Sequence, residues 1–419
     1  MKRSRFLALV AALALLPALS GALSAQSFDS GSTGADGALT LTTPGTIDFD
    51  PASFTPPLDP DGDNVYHFTS VTIGPGVTVR LRGPGLNMSP VWWLASGPVV
   101  LDGTIDLSGD DGQHGSVVIH DGSRSPAVPG AGGFPGGVGG TTTAAAQTGS
   151  GPGGGLLAQR SDHSGGGAAH VSRGSGDIAG PPAYGNPFLL PLLGGSGGAG
   201  AHHFSGNGGG GGAGGGAILI ASSISIVVNG AVRANGGSGG ATAASHTNGG
   251  GGSGGTIHLL APSVGGSGAL SAIGGNPSNT FNLGSPGRIR LEAFQTSLAG
   301  SVSPGPVRAT PFTRSLTPAG LPSVRIVTVG AVAVAEDPTG SFEVPDVTIG
   351  QAAAVPVEIE ARNVPPGTVV RLHVFSEGGA DQIVNASPLV GTLAQSTATA
   401  SVVFPPGFSR GFVRATWMP

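Results

Sequence analysis

The sequence contains no cysteine and a single lysine, Lys2. Without cysteine there is no disulfide framework, no thiolate metal site, no cysteine nucleophile and no N-terminal cysteine to carry a lipid. Charge is scarce: Asp, Glu, Lys and Arg make up 10% of the 419 residues and aromatics 5%, where ordinary soluble domains carry about 25% charge. The net charge is −5 and the arginines are scattered. Clustered cations, which a phosphate backbone requires, are therefore missing, and nucleic acid is not expected as a partner. No apolar run after residue 25 is long enough to cross a bilayer, and no amphipathic helical period holds over three turns from residue 30 onward.

What the chain has instead is 79 Gly and 35 Pro. Glycine does not recur at every third residue, so a collagen triple helix is excluded, and an apolar fraction of 38% is too high for a wholly disordered polymer. Residues 1–25 read as a secretory signal peptide. Lys2, Arg3 and Arg5 precede an apolar run from Phe6 to Leu19, and small residues from Ser20 to Ala25 suit cleavage after Ala22 or Ala25. Its removal takes three basic residues and no acidic one, so the exported chain is more acidic than the full sequence. The expected location is secreted or cell-surface, with no transmembrane segment after cleavage.

Five regions follow from the changes in composition: the signal peptide, an acidic turn-rich stretch over 26–68, a strand-rich body over 69–305, a linker over 306–320 and a last region over 321–419. Within the body, 120–216 is mostly Gly, Ala, Ser, Thr and Pro. Its few large apolar side chains cannot offset the entropy of ordering so much glycine, so this insertion is expected to be an extruded loop, clipped back by YGNPFLLPLL over 184–193. In the last region glycine thins out. Alternating runs such as VPVEIEA and VVRLHVF, with turns at NVPPGT and FPPGF, predict a two-layer β-sandwich that includes Trp417 in its core.

An internal repeat carries the most information. Leu94, Ile220, Leu260 and Leu291 each open a segment in which alanine follows closely and a Gly-small-aliphatic triplet comes later, at Gly103-Thr104-Ile105, Gly230-Ala231-Val232, Gly268-Ala269-Leu270 and Gly300-Ser301-Val302. Each copy reads as three short strands with glycine at the bends, which is the grammar of a coil that stacks on its neighbours. The copies are too far apart for bare coils, so the excess is expected to be looped out.

This pattern resembles the right-handed parallel β-helix proteins of the pectin-lyase-like superfamily, and in its glycine-rich loops it is similar to secreted bacterial surface proteins built on that scaffold. The likeness covers roughly residues 65–305. The last region is similar to the immunoglobulin-like accessory domains of exported bacterial proteins. The implied fold is all-β: a right-handed parallel β-helix with long glycine-rich loops, followed by a β-sandwich.

The superfamily includes polysaccharide hydrolases and lyases, so paired carboxylates matter. Asp102, Asp106, Asp110, Asp111 and His114 form the candidate catalytic set. Asp110-Asp111, Gln113-His114-Gly115 and Arg288-Ile289-Arg290 echo the polygalacturonase motifs, but the Asn-Thr-Asp element is missing, Gln113 replaces a Gly and Arg290 a Lys. The alternative is that these are solvated turn residues. Asp59, Asp61 and Asp63 alternate as oxygen ligands of a calcium loop would, although Asn64 and Ser70 break the EF-hand pattern; the alternative is an acidic turn before the first coil. No other cofactor is implied. His163, His170, His202, His203 and His246 lack the spacing of a zinc site and read as exposed loop residues. Trp92 and Trp93 point to opposite faces of one strand, so one would fill or cap the core while the other is a candidate for contact with a ligand or a partner; structural packing of the pair is the favoured alternative.

The expected function is that of an exported structural or adhesin-like interaction protein of the cell surface or extracellular matrix, binding polysaccharide or cell-envelope material. Two alternatives stand beside it: a polysaccharide hydrolase or lyase on the β-helix, and a self-associating filament component. Whether the chain is an enzyme is left open, with the non-enzymatic reading favoured.

Overall fold

The computed structural model describes residues 27–60, 62–115, 125–141, 145–157, 164–175, 180–202, 207–241, 248–276, 282–312, 314–317, 322–335, 338, 345–376 and 382–415. The expected signal peptide, Asp61, His163, His203, His246 and Trp417 lie outside them.

The described chain is almost entirely β. Its body is a stack of coils whose strands pair in parallel. The first coil has β1 (Gly37–Leu41) and β2 (Gly45–Asp48); the second has β3 (Val65–Ile73) and β4 (Val77–Arg80). The third holds β5 (Val91–Ala95), β6 (Val99–Leu101) and β7 (Thr104–Asp106), and the fourth β8 (Ala217–Ser222), β9 (Ser225–Val228) and β10 (Ala231–Arg233). The fifth holds β11 (Thr256–Leu260), β12 (Ser263–Gly266) and β13 (Ala269–Ser271), and the sixth β14 (Arg288–Glu292), β15 (Gln295–Leu298) and β16 (Val302–Ser303). Finally β17 (Val307–Ala309), within the stretch expected as a linker, pairs with β14. Strand β3 turns a corner: its first half pairs with β5 and its second with β6. The first half of β3 with β5, β8, β11, β14 and β17 thus forms one face, β1 and the second half of β3 with β6, β9, β12 and β15 another, and β2-β4-β7-β10-β13-β16 a separate third sheet.

Inside this solenoid-like core, side chains stack from coil to coil. Ile47, Val79, Ile105, Val232, Leu270 and Val302 make one ladder along the third sheet. Gly103, Gly230, Gly268 and Gly300 stand at equivalent bends beside it; a methyl group on any of the last three would overlap the carbonyl oxygen of the glycine one coil below. The expected repeat is real, but its first-strand alignment needs correcting. Leu94 pairs with Ala221, not Ile220, and Leu260 with Glu292, not Leu291. These strands are buried on both faces, so they carry no apolar–polar alternation from which register could be read.

The larger correction concerns the glycine-rich insertion. The described parts of 108–287 between the strands are not extruded loops; they run side by side as an ordered layer of extended backbone continuous with the coils. The segment 208–216 shows the construction. Gly210, Ala213 and Gly216 donate to Gln113, Asp110 and Leu107; Gly208, Gly211 and Gly214 donate to Gly140, Gly137 and Phe134; Gly212 and Gly215 donate to Gly250 and Ser253. Successive N–H groups therefore point to three different neighbours in rotation. A β-strand offers only two edges. A threefold repeat without internal hydrogen bonds is the geometry of the polyproline II helix, here made of glycine. The same spacing of three recurs where Gly109, Gly112 and Gly115 donate to Asn235, Ser238 and Ala241, and where Gly195, Gly198 and Ala201 donate to Gly215, Gly212 and Gly209.

Glycine is required because the segments approach closely enough for a Cβ to strike a neighbouring main chain: at Gly212 it would meet the carbonyl of Gly237, and at Gly214 that of Gly195. Backbone hydrogen bonds in three directions supply what the missing side chains cannot, and they offset the entropy of ordering glycine.

The last region forms antiparallel sheets. One has the order β19 (Val332–Ala333), β18 (Ser323–Val329), β20 (Val355–Arg362), β24 (Ser396–Val402), β23 (Val390–Gly391); the other is β22 (Gln382–Pro388), β21 (Val369–Ser376), β25 (Ser409–Ala415). Alternate residues of β20, such as Val357 and Ile359, meet Val370, Leu372 and Val374 of β21 in one apolar cluster. This arrangement is sandwich-like. Among the described residues no helix is long and apolar enough to cross a membrane.

Candidate functional site

The candidate carboxylates begin at β7 and continue into the glycine layer. Each has its own partner. Asp102 accepts from Asn229 Nδ2 at 2.8 Å, Asp106 from the amide of Ser108 at 2.9 Å, and Asp111 from the amide of Ser238 at 2.6 Å. Asp110 takes a bidentate ion pair from Arg82, and this bond raises the arginine's pKa further. On the outer side of the third sheet, strand register places Asp48, Arg80, Asp106 and Arg233 in sequence, a ladder of alternating charge. His114 lines a small recess at one end of the glycine layer with Gln113, Gly139, Thr141 and Asn207. The contacts of Asp102, Asp110 and Asp111 fasten one coil or glycine segment to the next, while that of Asp106 closes its own bend.

In the acidic turn, Asp59 accepts from the amides of Asp63 and Asn64 at 3.3 and 2.7 Å, and Asp63 accepts from the amide of Val65 at 2.9 Å. Both side chains thus close the turn, which seats buried Asn64 on the carbonyl of Leu86. Among the described residues no group of three or more His, Asp or Glu side chains is placed to hold a metal ion.

Both tryptophans are packed into the structure, as the favoured alternative has it. Trp93 points inward, its ring 5.6 Å from Phe49 and 5.9 Å from Phe68. Trp92 points outward but is only 6% exposed, because Phe28, Leu189, Leu192 and Leu316 cover this outer face of the first sheet. Neither ring is free to stack on a ligand. Leu189 and Leu192 belong to the YGNPFLLPLL segment, which does lie over the coils.

Beneath the same cover sits a charged cluster that the motif search missed. Glu292 at the end of β14 is fully buried. Its carboxylate accepts from Arg290 Nε at 2.6 Å, from Arg314 Nη2 and Nη1 at 2.7 and 3.0 Å, and from His258 Nε2 at 3.1 Å. Arg290 also donates to the carbonyl of Pro187, tying in the covering segment. Burial alone would raise the Glu292 pKa, but hydrogen bonds from His258, Arg314 and Arg290 outweigh it and hold the carboxyl well below its usual range. His258 is pushed down by burial, opposed by its bond to Glu292.

A second buried group lies within the glycine layer. His170, 1% exposed and so not the exposed loop residue expected, stacks on Tyr184 with ring centroids 4.6 Å apart. It donates from Nδ1 to the Gly254 carbonyl at 2.7 Å, while the Tyr184 hydroxyl donates to Gly194 O at 2.6 Å.

Burial lowers the His170 pKa to about 4 from 6.5. The unfolded chain therefore binds a proton that the folded one refuses. The stability linked to this ring is complete above pH 6.5 and is lost as pH falls toward 4, by about 3 kcal/mol in all. Asp59, raised by burial to about 6 from 3.8, acts in the opposite sense: its contribution is complete below pH 3.8 and is lost as pH rises through 6. Urea midpoints measured across pH 4–7 should fall toward acid less steeply in His170→Gln than in the parent; parallel curves would refute the assignment to His170.

Comparison of the chain with protein-family models, with curated proteins and with solved structures found no match.

Proposed function

We propose that this chain is an exported structural or adhesin-like interaction protein of the cell surface or extracellular matrix, with polysaccharide or cell-envelope material as its binding partner. In this reading the solenoid is a right-handed parallel β-helix of the pectin-lyase-like kind, and the last region is an immunoglobulin-like sandwich. One observation carries it: Asp102, Asp106, Asp110 and Asp111 each engage a different structural partner, Asn229, Ser108, Arg82 and Ser238. Groups spent on holding a scaffold suit a protein that presents a surface rather than one that turns over substrate. The outer side of the third sheet offers such a surface, with Thr46, Thr78, Thr104, Ala231, Ala269 and Ser301 in strand register, a row of small side chains along which an extended polymer fits.

Co-sedimentation of the purified exported chain with insoluble polysaccharides and with isolated cell envelopes tests the reading. Retention without release of sugar fragments is expected. Polysaccharide cleavage that disappears in Asp110→Asn/Asp111→Asn, with the fold intact, would replace it with the hydrolase or lyase reading.

A further inference from the structure

The interior ladders of the solenoid end abruptly on both sides, and the two ends match. One ladder runs Leu41, Ile73, Leu101, Val228, Gly266, Leu298; the other runs from Ile47 to Val302. Their inner aliphatic members are fully buried, while the terminal residues Leu41 and Ile47 at the first coil and Leu298 and Val302 at the last are only partly covered. Each end thus leaves two aliphatic side chains short of the neighbour that every internal coil provides.

On the second face the strand edges at these ends are also unguarded, whereas β2 carries Asp48 and β17 carries Arg308. β1 (GALTL) and β15 (QTSL) carry no charge and no proline, the usual devices that stop an edge from pairing with another chain. The ends differ in charge. From residue 27 to 79 there is no Lys or Arg, and Asp29, Asp36, Asp48 and Asp50 belong to the first coil; the last coil and the stretch that follows it carry Arg288, Arg290, Arg308 and Arg314 against Glu292 alone, a positive excess even with Arg290 and Arg314 sharing that carboxylate.

We infer that the first coil of one copy of this chain docks on the last coil of another, head to tail, extending the parallel sheets and both aliphatic ladders across the junction. The contact is heterologous, so it propagates rather than closing at a dimer. Opposite charge at the two ends favours head to tail over head to head. The inference concerns the ends of the coil and not its outer faces, so it stands or falls separately from polymer binding.

Register gives a direct test. Thr40, Thr72, Val100, Val227, Gly265 and Ser297 form one outward row, so Thr40 of one copy would stand over Ser297 of the next at about the 4.8 Å spacing of adjacent strands, within disulfide reach. Both residues are exposed, and the chain has no cysteine of its own. Exported chain bearing Thr40→Cys, chain bearing Ser297→Cys and an equal mixture are treated with a mild oxidant after circular dichroism shows the parent fold. A disulfide-linked dimer in the mixture and none in either variant alone is the expected result. No dimer in the mixture, or a comparable dimer in one variant alone, would overturn the inference.

Discussion

Gly214→Ala is expected to destabilise the solenoid by about 3 kcal/mol or more, at the upper end of what overpacking costs, whereas Gly305→Ala should leave its stability nearly unchanged. The added methyl at 214 would overlap the carbonyl oxygen of Gly195, with Ser196 close behind; at 305 nothing lies within reach. Relief by rotating a side chain is unavailable, because the obstacle is main chain held by its own hydrogen bonds: Gly214 donates to Phe134 and Gly195 to Gly215. Moving one segment aside therefore disturbs its neighbours too. Thermal denaturation of the two variants beside the parent reads the contrast. Equal midpoints for all three would mean that the glycine segments are not in contact.

The second large effect is expected at Glu292. Replacing it with alanine leaves Arg290, Arg314 and His258 without the carboxylate they share, inside a region that excludes water. Loss of one partner from a buried ionic group typically costs about 3–5 kcal/mol, and Glu292→Ala should fall in that range. Glu292→Gln keeps the shape and one acceptor oxygen but removes the charge, so an intermediate loss is expected. The partners of Glu292 sit on β11, β14 and the stretch that follows β17, and Arg290 reaches Pro187. The variant should therefore also loosen the cover over Trp92, visible as a red shift in tryptophan emission. Unchanged stability in Glu292→Ala would show that the cluster is not a fastening.

Part of this architecture was legible in the residues and part was not, for identifiable reasons. The bends at Gly103, Gly230, Gly268 and Gly300 could be read because a stacked coil admits no Cβ there, and that requirement leaves a sequence mark. Register along β5, β8, β11 and β14 could not, since both faces of those strands are buried. For the glycine layer the error lay in weighing side chains: its cohesion comes from N–H and C=O groups, which every residue carries and no composition displays. The charges at Arg288, Arg290 and Glu292 alternate along one strand and so share a face, a signal that was visible but was absorbed into a faint catalytic echo. His258 and Arg314 are remote in sequence, and nothing local announces that they meet Glu292. The opposite orientations of Trp92 and Trp93 were predictable from strand geometry; the cover supplied by Phe28, Leu189, Leu192 and Leu316 was not.

The central claim is that the glycine-rich insertion is an ordered layer of the protein. Hydrogen exchange of the purified chain, resolved to short peptides, addresses it most directly. Amides of Gly210–Gly216 should be protected as strongly as those of Ile218–Ile220 in β8, since both donate to neighbouring main chain and open only with the coils. Exchange of 210–216 at the rate of an unstructured chain, beside protected 218–220, would contradict it.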